Sequence, residues 1–307
     1  MIFSDNNIYA LNGAAVGDLM AATPIIKYAI DNLHPKKNYK VALLPDFKDL
    51  FHFVPDSHII ETAAEYDKAY AVRKLNMDSI GGNITRLTPS RLKLTHYACI
   101  GLLARLLTDE ELQYVPLQPV DISQYGIDFS KCAIILTTYR DITRAWSGSD
   151  IVQTAKYLQD NGITPVFVGK KGAISIWKTL AVSDFEYPGF GHDLVDKTSL
   201  RELYTIMSCA KMVIGLDSGP LHIAFSTNTP VIAGFTTVRG DLRIPYRGNA
   251  VTIPVSTPLN CQFCQSDWNL DFHNFTQCPK GMKIPKCTTT MTFDLFKPAI
   301  DQLLNIS

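Results

Sequence analysis

From residue 131 onward the sequence alternates short, uninterrupted apolar runs with segments of helical period, and that alternation leaves few folds open. Cys132–Leu136 is the first run. A helical pattern follows, with Ile151, Val152, Ala155 and Leu158 on one face, and it stops at Asn161-Gly162, where glycine just past a helix end is the usual signal. Residues 165–169 then predict a second buried strand. Ser199 and Glu202 stand at the spacing of a capping box, which opens a helix running to about Cys209. Met212–Leu216 predicts a third strand, Gly219-Pro220 starts another helix with proline in its first turn, and residues 230–235 predict a fourth strand. Strands that are apolar throughout need cover on both faces, so the pattern predicts a parallel, doubly wound α/β sheet.

The first hundred residues repeat the theme with a strand at 8–11, a helix over about 18–32, and strands at 41–44 and 68–72. A length of 307 residues suits two domains of roughly 100–200 residues each. Between the two halves, residues 115–131 carry two prolines, a glycine and little periodicity, so the linker is expected there. The expected organisation is a first Rossmann-like domain over 1–120 and a second over 121–307, the latter ending in a cysteine-containing tail and a final helix. Two such domains would face each other across a cleft.

Composition narrows the function classes. Hydrophobic residues make up 46% and charged residues 19%, enough apolar side chain for a sizeable core and unlike a disordered chain. Lys+Arg and Asp+Glu both number 29, so there is no global basic field, and a polyanionic partner would need a local patch. One stretch qualifies: from Arg73 to Arg105 six basic residues (Arg73, Lys74, Arg86, Arg91, Lys93, Arg105) meet a single acid, Asp78, an excess of five positive charges. A solvated helix face with its counter-charges elsewhere would look the same. No apolar run reaches the length of a membrane span, and the first residues lack the basic and apolar regions of a signal peptide, so a cytoplasmic protein is expected. Of the seven cysteines, Cys99, Cys132 and Cys209 sit singly in apolar surroundings and are expected to be buried thiols.

Three segments carry candidate chemistry, each at a strand's carboxyl end, where parallel α/β sheets bind ligands. In the first, Gly13 to Pro24, Asp18 would present a carboxylate able to take a proton from an attacking hydroxyl. Capping the helix is the ordinary alternative for such an aspartate. Its glycines do not fit the GxGxxG fingerprint of dinucleotide-binding turns. The second, Asp217-Ser218-Gly219-Pro220-Leu221-His222, joins a strand end to a helix start, where free amide N–H groups attract anions and Gly219 admits a phosphate close to the backbone. A plain cap by Asp217 or Ser218 is compatible with that use, and a lone helical histidine such as His222 is more often structural. In the third, Thr137, Thr138 and Arg144 leave the first strand of the second domain. A guanidinium there could clamp a diphosphate bidentately, and the threonine hydroxyls could donate to phosphate oxygens.

Taken together, these residues resemble glycosyltransferase family 9, the lipopolysaccharide heptosyltransferase family of GT-B fold. The resemblance rests on GDxxxxTP (Gly17, Asp18, Thr23, Pro24), a basic-x-Trp element (Arg144, Trp146), the long block from Asp196 to Ala224, and the cysteine-containing tail. It implies an inverting, metal-independent transfer from a nucleotide-diphosphate sugar to an acceptor hydroxyl. Matched by position, it implies Asp18 as catalytic base, Arg144 as the basic residue at the donor phosphates (commonly lysine in the family), and Asp217 to His222 as the donor-binding turn. One departure concerns the donor: Gly169-Lys170-Lys171-Gly172 stands where the family often has an acidic residue near the ribose. Adenine-diphosphate heptose is therefore not assured.

The acceptor is expected to be anionic and to meet Arg86, Arg91 and Lys93. A phosphorylated lipopolysaccharide core is the acceptor the resemblance suggests, and DNA carrying a hydroxylated base is the alternative, favoured by a first domain shorter than in typical heptosyltransferases. A nucleotide-sugar epimerase or hydrolase and a noncatalytic binding protein are the rival functions. In the tail, Cys261, Cys264, Cys278 and Cys287 are spaced x2, x13 and x8. Four thiolates could bind one structural zinc tetrahedrally, with His273 as an alternative ligand. Reduced thiols or a disulfide are the other possibilities.

Overall fold

The computed structural model describes residues 8–10, 16–33, 40–43, 45–61, 113–139, 142–171, 184–264, 278 and 280–305. The chain divides into two compact units, residues 1–118 with 245–248, and residues 119–244 with 249–307.

In the first unit, β1 (Ile8–Ala10), β2 (Lys40–Leu43) and β3 (Ile59–Glu61) form a parallel sheet in that order, Tyr9 opposite Val41 and Val41 opposite Ile59. The third strand is Ile59–Glu61, which the apolar pattern did not single out; the expected strand at 68–72 lies outside the described residues. Helix α1 spans Val16–Leu33 and buries Leu19, Met20 and Ile26. Thr23 of α1 is buried, donates to the carbonyl of Met20 at 2.7 Å and accepts from the amide of Val115 at 3.1 Å. The Thr-Pro of the opening motif thus ties α1 to the segment that leaves this unit.

The second unit is the doubly wound sheet that the apolar runs predict. Its strands are β4 (Cys132–Leu136), β5 (Thr164–Val168), β6 (His192–Asp193), β7 (Met212–Leu216), β8 (Val231–Phe235) and β9 (Thr252–Ser256), all parallel, in the order β6-β5-β4-β7-β8-β9. Every residue of β4, β7 and β8 is buried, as a sheet covered on both faces requires. The helices are α2 (Gly148–Asp160), α3 (Leu200–Cys209), α4 (Gly219–Phe225), the short α5 (Lys286–Thr289) and α6 (Phe293–Leu304). The capping box opening α3 forms in full: the Ser199 hydroxyl accepts from the Glu202 amide at 3.3 Å, and the Glu202 carboxylate accepts from the Ser199 amide at 2.7 Å. One core holds the layers together, with Trp146 stacked on Phe296 at 4.5 Å between ring centres.

Sequence order and sheet order together fix where a ligand can sit. The chain runs outward from β4 through β5 and β6, then crosses back to begin β7 on β4's other side. Loops leaving β4 and β7 therefore turn to opposite faces and open a crevice at their carboxyl ends. At Gly215 in β7, a Cβ would come within 2.6 Å of Leu136 Cβ, so glycine is what lets β7 lie against β4 at this point.

One expectation is corrected. Cys132 is buried, and burial pushes its thiol up to about 11, but Cys209 is exposed. Helix α3 buries Leu203, Ile206 and Met207, and Cys209, its last residue, falls past that stripe on the solvent side.

Candidate donor site

Three loops from neighbouring strands meet at the crevice. After β4, a 3₁₀ turn over Ile142–Arg144 delivers Arg144; after β7 come Asp217, Ser218 and α4; after β8, a 3₁₀ turn over Gly240–Leu242 ends at Arg243. Asp217 is the hub. Its Oδ2 lies 3.2 Å from Arg144 Nη1 and 3.6 Å from Arg243 Nε, while its Oδ1 faces His222 Nε2 at 3.6 Å. Asp217 and His222 are both buried, and the His222 ring meets Phe225 edge-on at 5.7 Å. Burial alone would raise the Asp217 carboxyl, but the two guanidiniums, with His222, outweigh it and hold the group well below the usual carboxylate range. Its carboxylate form is the one this surrounding favours.

The possibility that Asp217 or Ser218 merely caps α4 can be checked directly. Ser218 occupies the N-cap position in extended conformation, yet its side chain makes no capping bond, and Asp217 is committed to the arginines. With Asp217 Oδ2 and Arg243 Nε facing each other in the ion pair, two buried polar atoms here are left without a partner: Arg144 Nε and Ser218 Oγ. Leaving such an atom unsatisfied costs about 1–3 kcal/mol, so their concentration at one sheet edge marks a place that a polar ligand completes.

The threonines do something other than expected. Thr137 Oγ1 donates to the Val168 carbonyl at 3.2 Å; Thr138 Oγ1 accepts from the Lys170 amide at 2.6 Å and donates to its carbonyl at 3.3 Å. They pin the loop after β4 to the loop after β5. A Cβ at Gly169 would stand 2.2 Å from Thr138 Oγ1 and 2.6 Å from Thr137 Oγ1, so glycine opens the Gly-Lys-Lys-Gly segment because these hydroxyls occupy its space.

Asp18 is the third residue of α1, inside the first turn rather than at the cap. Arg86, Arg91 and Lys93 lie outside the described residues. Arg243 is the residue that sequence reasoning missed: an arginine in a Gly-containing loop looks like any surface cation. The available signal was that its loop follows β8, the strand beside β7.

The tail cysteines are half-buried and unbridged. Cys287 sits in α5, and its thiol is raised by burial first and then by Cys264, Cys278 and Cys261, so all four lie within electrostatic reach. Among the described residues no three His, Cys, Asp or Glu side chains are close enough to grip a metal ion.

Residues 110–270 match the model of glycosyltransferase family 9 (heptosyltransferase). The chain belongs to glycosyltransferase family 9. Over 112 residues it is 30% identical to the autotransporter heptosyltransferase TibC of Escherichia coli O78:H11, a match covering 34% of this chain and 26% of TibC; the aligned part spans about a quarter of that relative. Among solved structures, the fold is similar to TibC of enterotoxigenic E. coli, described as an iron-containing dodecameric glycosyltransferase (TM-score 0.67, 16% identity, 99% of this chain and 77% of that one). TibC in complex with ADP-D-beta-D-heptose matches at a TM-score of 0.65, with 16% identity over 99% of this chain and 78% of that one. E. coli ADP-heptose lipopolysaccharide heptosyltransferase II matches at 0.58, with 14% identity over 97% and 98% of the two chains. The fold of this family 9 chain is therefore GT-B. Among the described residues no helix is long and apolar enough to cross a membrane.

Proposed function

We propose that this chain is a glycosyltransferase that moves a sugar from a nucleotide-diphosphate sugar to a hydroxyl of an anionic acceptor, inverting the anomeric centre without a catalytic metal. The observation that carries this reading is the Asp217-anchored Arg144 at the crevice between β4 and β7, the place where doubly wound sheets bind nucleotides. As the donor's glycosidic bond breaks, its electron pair stays on the diphosphate oxygen, and a guanidinium already held in place meets that charge without reorganising. Asp18, in the first turn of α1, takes the proton of the acceptor hydroxyl as that oxygen attacks the anomeric carbon. Thr137 and Thr138 keep a donor role indirectly, by fixing the loops beside the phosphates, and His222 by facing Asp217.

ADP-heptose is the donor to try first, because TibC was solved with it. For the acceptor, a phosphorylated lipopolysaccharide core agrees with heptosyltransferase II, and Arg86, Arg91 and Lys93 would hold its phosphates. Four thiolates are a soft donor set suited to tetrahedral zinc or iron, and TibC is described as iron-containing. Cys261, Cys264, Cys278 and Cys287 are the candidate ligands of one structural metal ion that would staple the tail, although as they stand no three of them are close enough to grip it.

A nucleotide-sugar panel assayed with and without acceptors tests the reading. Transfer is expected only when donor and a lipopolysaccharide core are both present. Fast turnover of donor alone would replace it with an epimerase or hydrolase. Absence of turnover with every pair would leave a binding protein, and transfer to hydroxymethylated DNA would move the acceptor to nucleic acid. Reversing the charges of Arg86, Arg91 and Lys93 is expected to raise the acceptor KM and flatten its salt dependence while donor binding is unchanged.

A further inference from the structure

Asp217 carries one negative charge and holds two arginines. Arg144 and Arg243 approach the same oxygen, Oδ2, from the loops after β4 and β8. One carboxylate neutralises one guanidinium, so Arg144, Arg243 and Asp217 together keep a net positive charge. Both arginines are largely covered, with side chains 16% and 22% exposed, so water screens that charge poorly. Arg243 turns its Nε to Asp217 and keeps its other N–H groups free of that contact, while the Arg144 Nε and the neighbouring Ser218 hydroxyl are buried without a hydrogen-bond partner. A carboxylate flanked by two guanidiniums, with donors left over on both, is a prepared receptor for an anion that has two charged centres.

We propose that Arg243 is a second donor-binding cation, and that Arg144 and Arg243 together read a diphosphate, one guanidinium for each phosphate group. Asp217 is their positioning residue: it holds both forks in place before the ligand arrives, which lowers the cost of ordering two long side chains on binding. The leaving nucleoside diphosphate gains its negative charge on the oxygen that parts from the anomeric carbon. Two fixed cations stabilise that oxygen and its neighbour better than one, while the acceptor's proton leaves by the separate route through Asp18. The inference rests on the donor assignment above and adds a specificity: the site distinguishes diphosphates from monophosphates.

Calorimetric titration of the full-length chain with ADP, AMP and inorganic pyrophosphate tests it, comparing wild type with Arg243→Ala, Arg243→Lys and Arg144→Ala. Wild type is expected to prefer ADP to AMP and to bind pyrophosphate. Arg243→Ala should weaken ADP and pyrophosphate about ten- to hundredfold, the loss of charged hydrogen bonds, while AMP changes little and the preference collapses. Arg243→Lys should restore part of it, since lysine keeps the charge without the fork. A loss of fold would appear as a lowered melting temperature and an equal loss for all three ligands, which would overturn the specific role. Unchanged ADP and pyrophosphate binding in Arg243→Ala, with binding lost in Arg144→Ala, would also overturn it and leave the donor assignment standing. Failure of wild type to bind ADP, UDP, GDP or pyrophosphate would remove the donor assignment itself.

Discussion

The Thr288 hydroxyl donates a 2.6 Å hydrogen bond to the carbonyl of Ile142, two residues before Arg144. It is one of two bonds by which the cysteine-bearing tail holds the arginine's turn. Cys287 Sγ reaches the carbonyl of Thr143 at 3.9 Å, and Thr236 Oγ1 donates to that carbonyl at 2.7 Å. On the other side, the amide of Phe263, between Cys261 and Cys264, donates to the Thr236 carbonyl at 2.9 Å. Both halves of the cysteine segment therefore bear on the Ile142–Arg144 turn.

Thr288→Val keeps the shape and removes the donor. It is expected to lower stability by about 0.5–1.5 kcal/mol, because the Ile142 carbonyl loses the shorter of its two hydrogen bonds and keeps that from the Ala145 amide, and to raise the donor KM several-fold while kcat changes less. Thr288→Ser should recover most of both. Steady-state kinetics with a melting curve for each variant would show it; a changed melting temperature with an unchanged donor KM would confine the tail to a purely structural role.

The same contacts give metal removal a direction. Elemental analysis of protein purified without added metal is expected to find about one zinc or iron per chain. Brief chelation should lower the melting temperature and weaken donor binding, while the chemical step, measured at saturating donor, persists. Loss of that step in a chelated protein that is still folded would sink the metal-independent chemistry.

Asp217→Asn leaves two guanidiniums around a neutral amide. Removing one partner of a buried ion pair typically costs about 3–5 kcal/mol, and that range is expected in a denaturant titration. The pH dependence follows from the depressed carboxyl. Its unfolded value lies near 3.8 and its folded value is far lower, so its stabilisation is in full force above about pH 5 and is lost progressively as the pH falls below the unfolded value towards the folded one. The difference in stability between wild type and Asp217→Asn should therefore stay constant from pH 8 to pH 5 and shrink below pH 4. A difference that fell between pH 7 and pH 5 would contradict a depressed Asp217 carboxyl.

Much of the second unit could be read from the sequence because its signals are local. The five apolar residues of β4 and of β7 mark fully buried strands, and the Ser199–Glu202 pair marks the start of α3 to the residue. Short or polar-patterned strands gave no such signal: β6 has two residues, and β9 alternates partial exposure with a single fully buried position, Val255. At the site, Arg144 and Asp217 were singled out separately, each by its place at a strand end. Their ion pair depends on β7 lying beside β4, and the Arg243 that shares it on β8 lying beside β7, an order that periodicity along the chain does not encode. The threonines show the converse: a hydroxyl at a ligand-binding edge is a fair phosphate donor in sequence, but here the next strand's loop takes it.

Gly169→Ala tests whether those threonines act as a scaffold. The added Cβ would lie 2.2 Å from Thr138 Oγ1, so the hydroxyl must leave its bonds to Lys170 or the loop must shift. Overpacking of this kind costs about 1–3 kcal/mol. The melting temperature should fall, and pairing the change with Thr138→Ala should recover part of it by making room. Thr138→Ala alone should leave donor affinity within a few-fold of wild type if the hydroxyl serves the loops, whereas a loss as large as that of Arg144→Ala would make it a direct phosphate ligand.

Asp18→Asn separates chemistry from structure in the first unit. The residue is third in α1, where a carboxylate near the helix start gains only about 0.3–1 kcal/mol from the helix dipole, so the neutral amide should cost little stability. A general base contributes about 10²–10⁴-fold to rate. Transfer should therefore fall by that factor while the melting temperature moves by a few degrees at most and nucleoside diphosphate binds as before, because Arg144, Asp217 and Arg243 belong to the other unit. Near wild-type transfer in a folded Asp18→Asn protein would return the residue to a role at the helix start and send the search for the base elsewhere in the first unit.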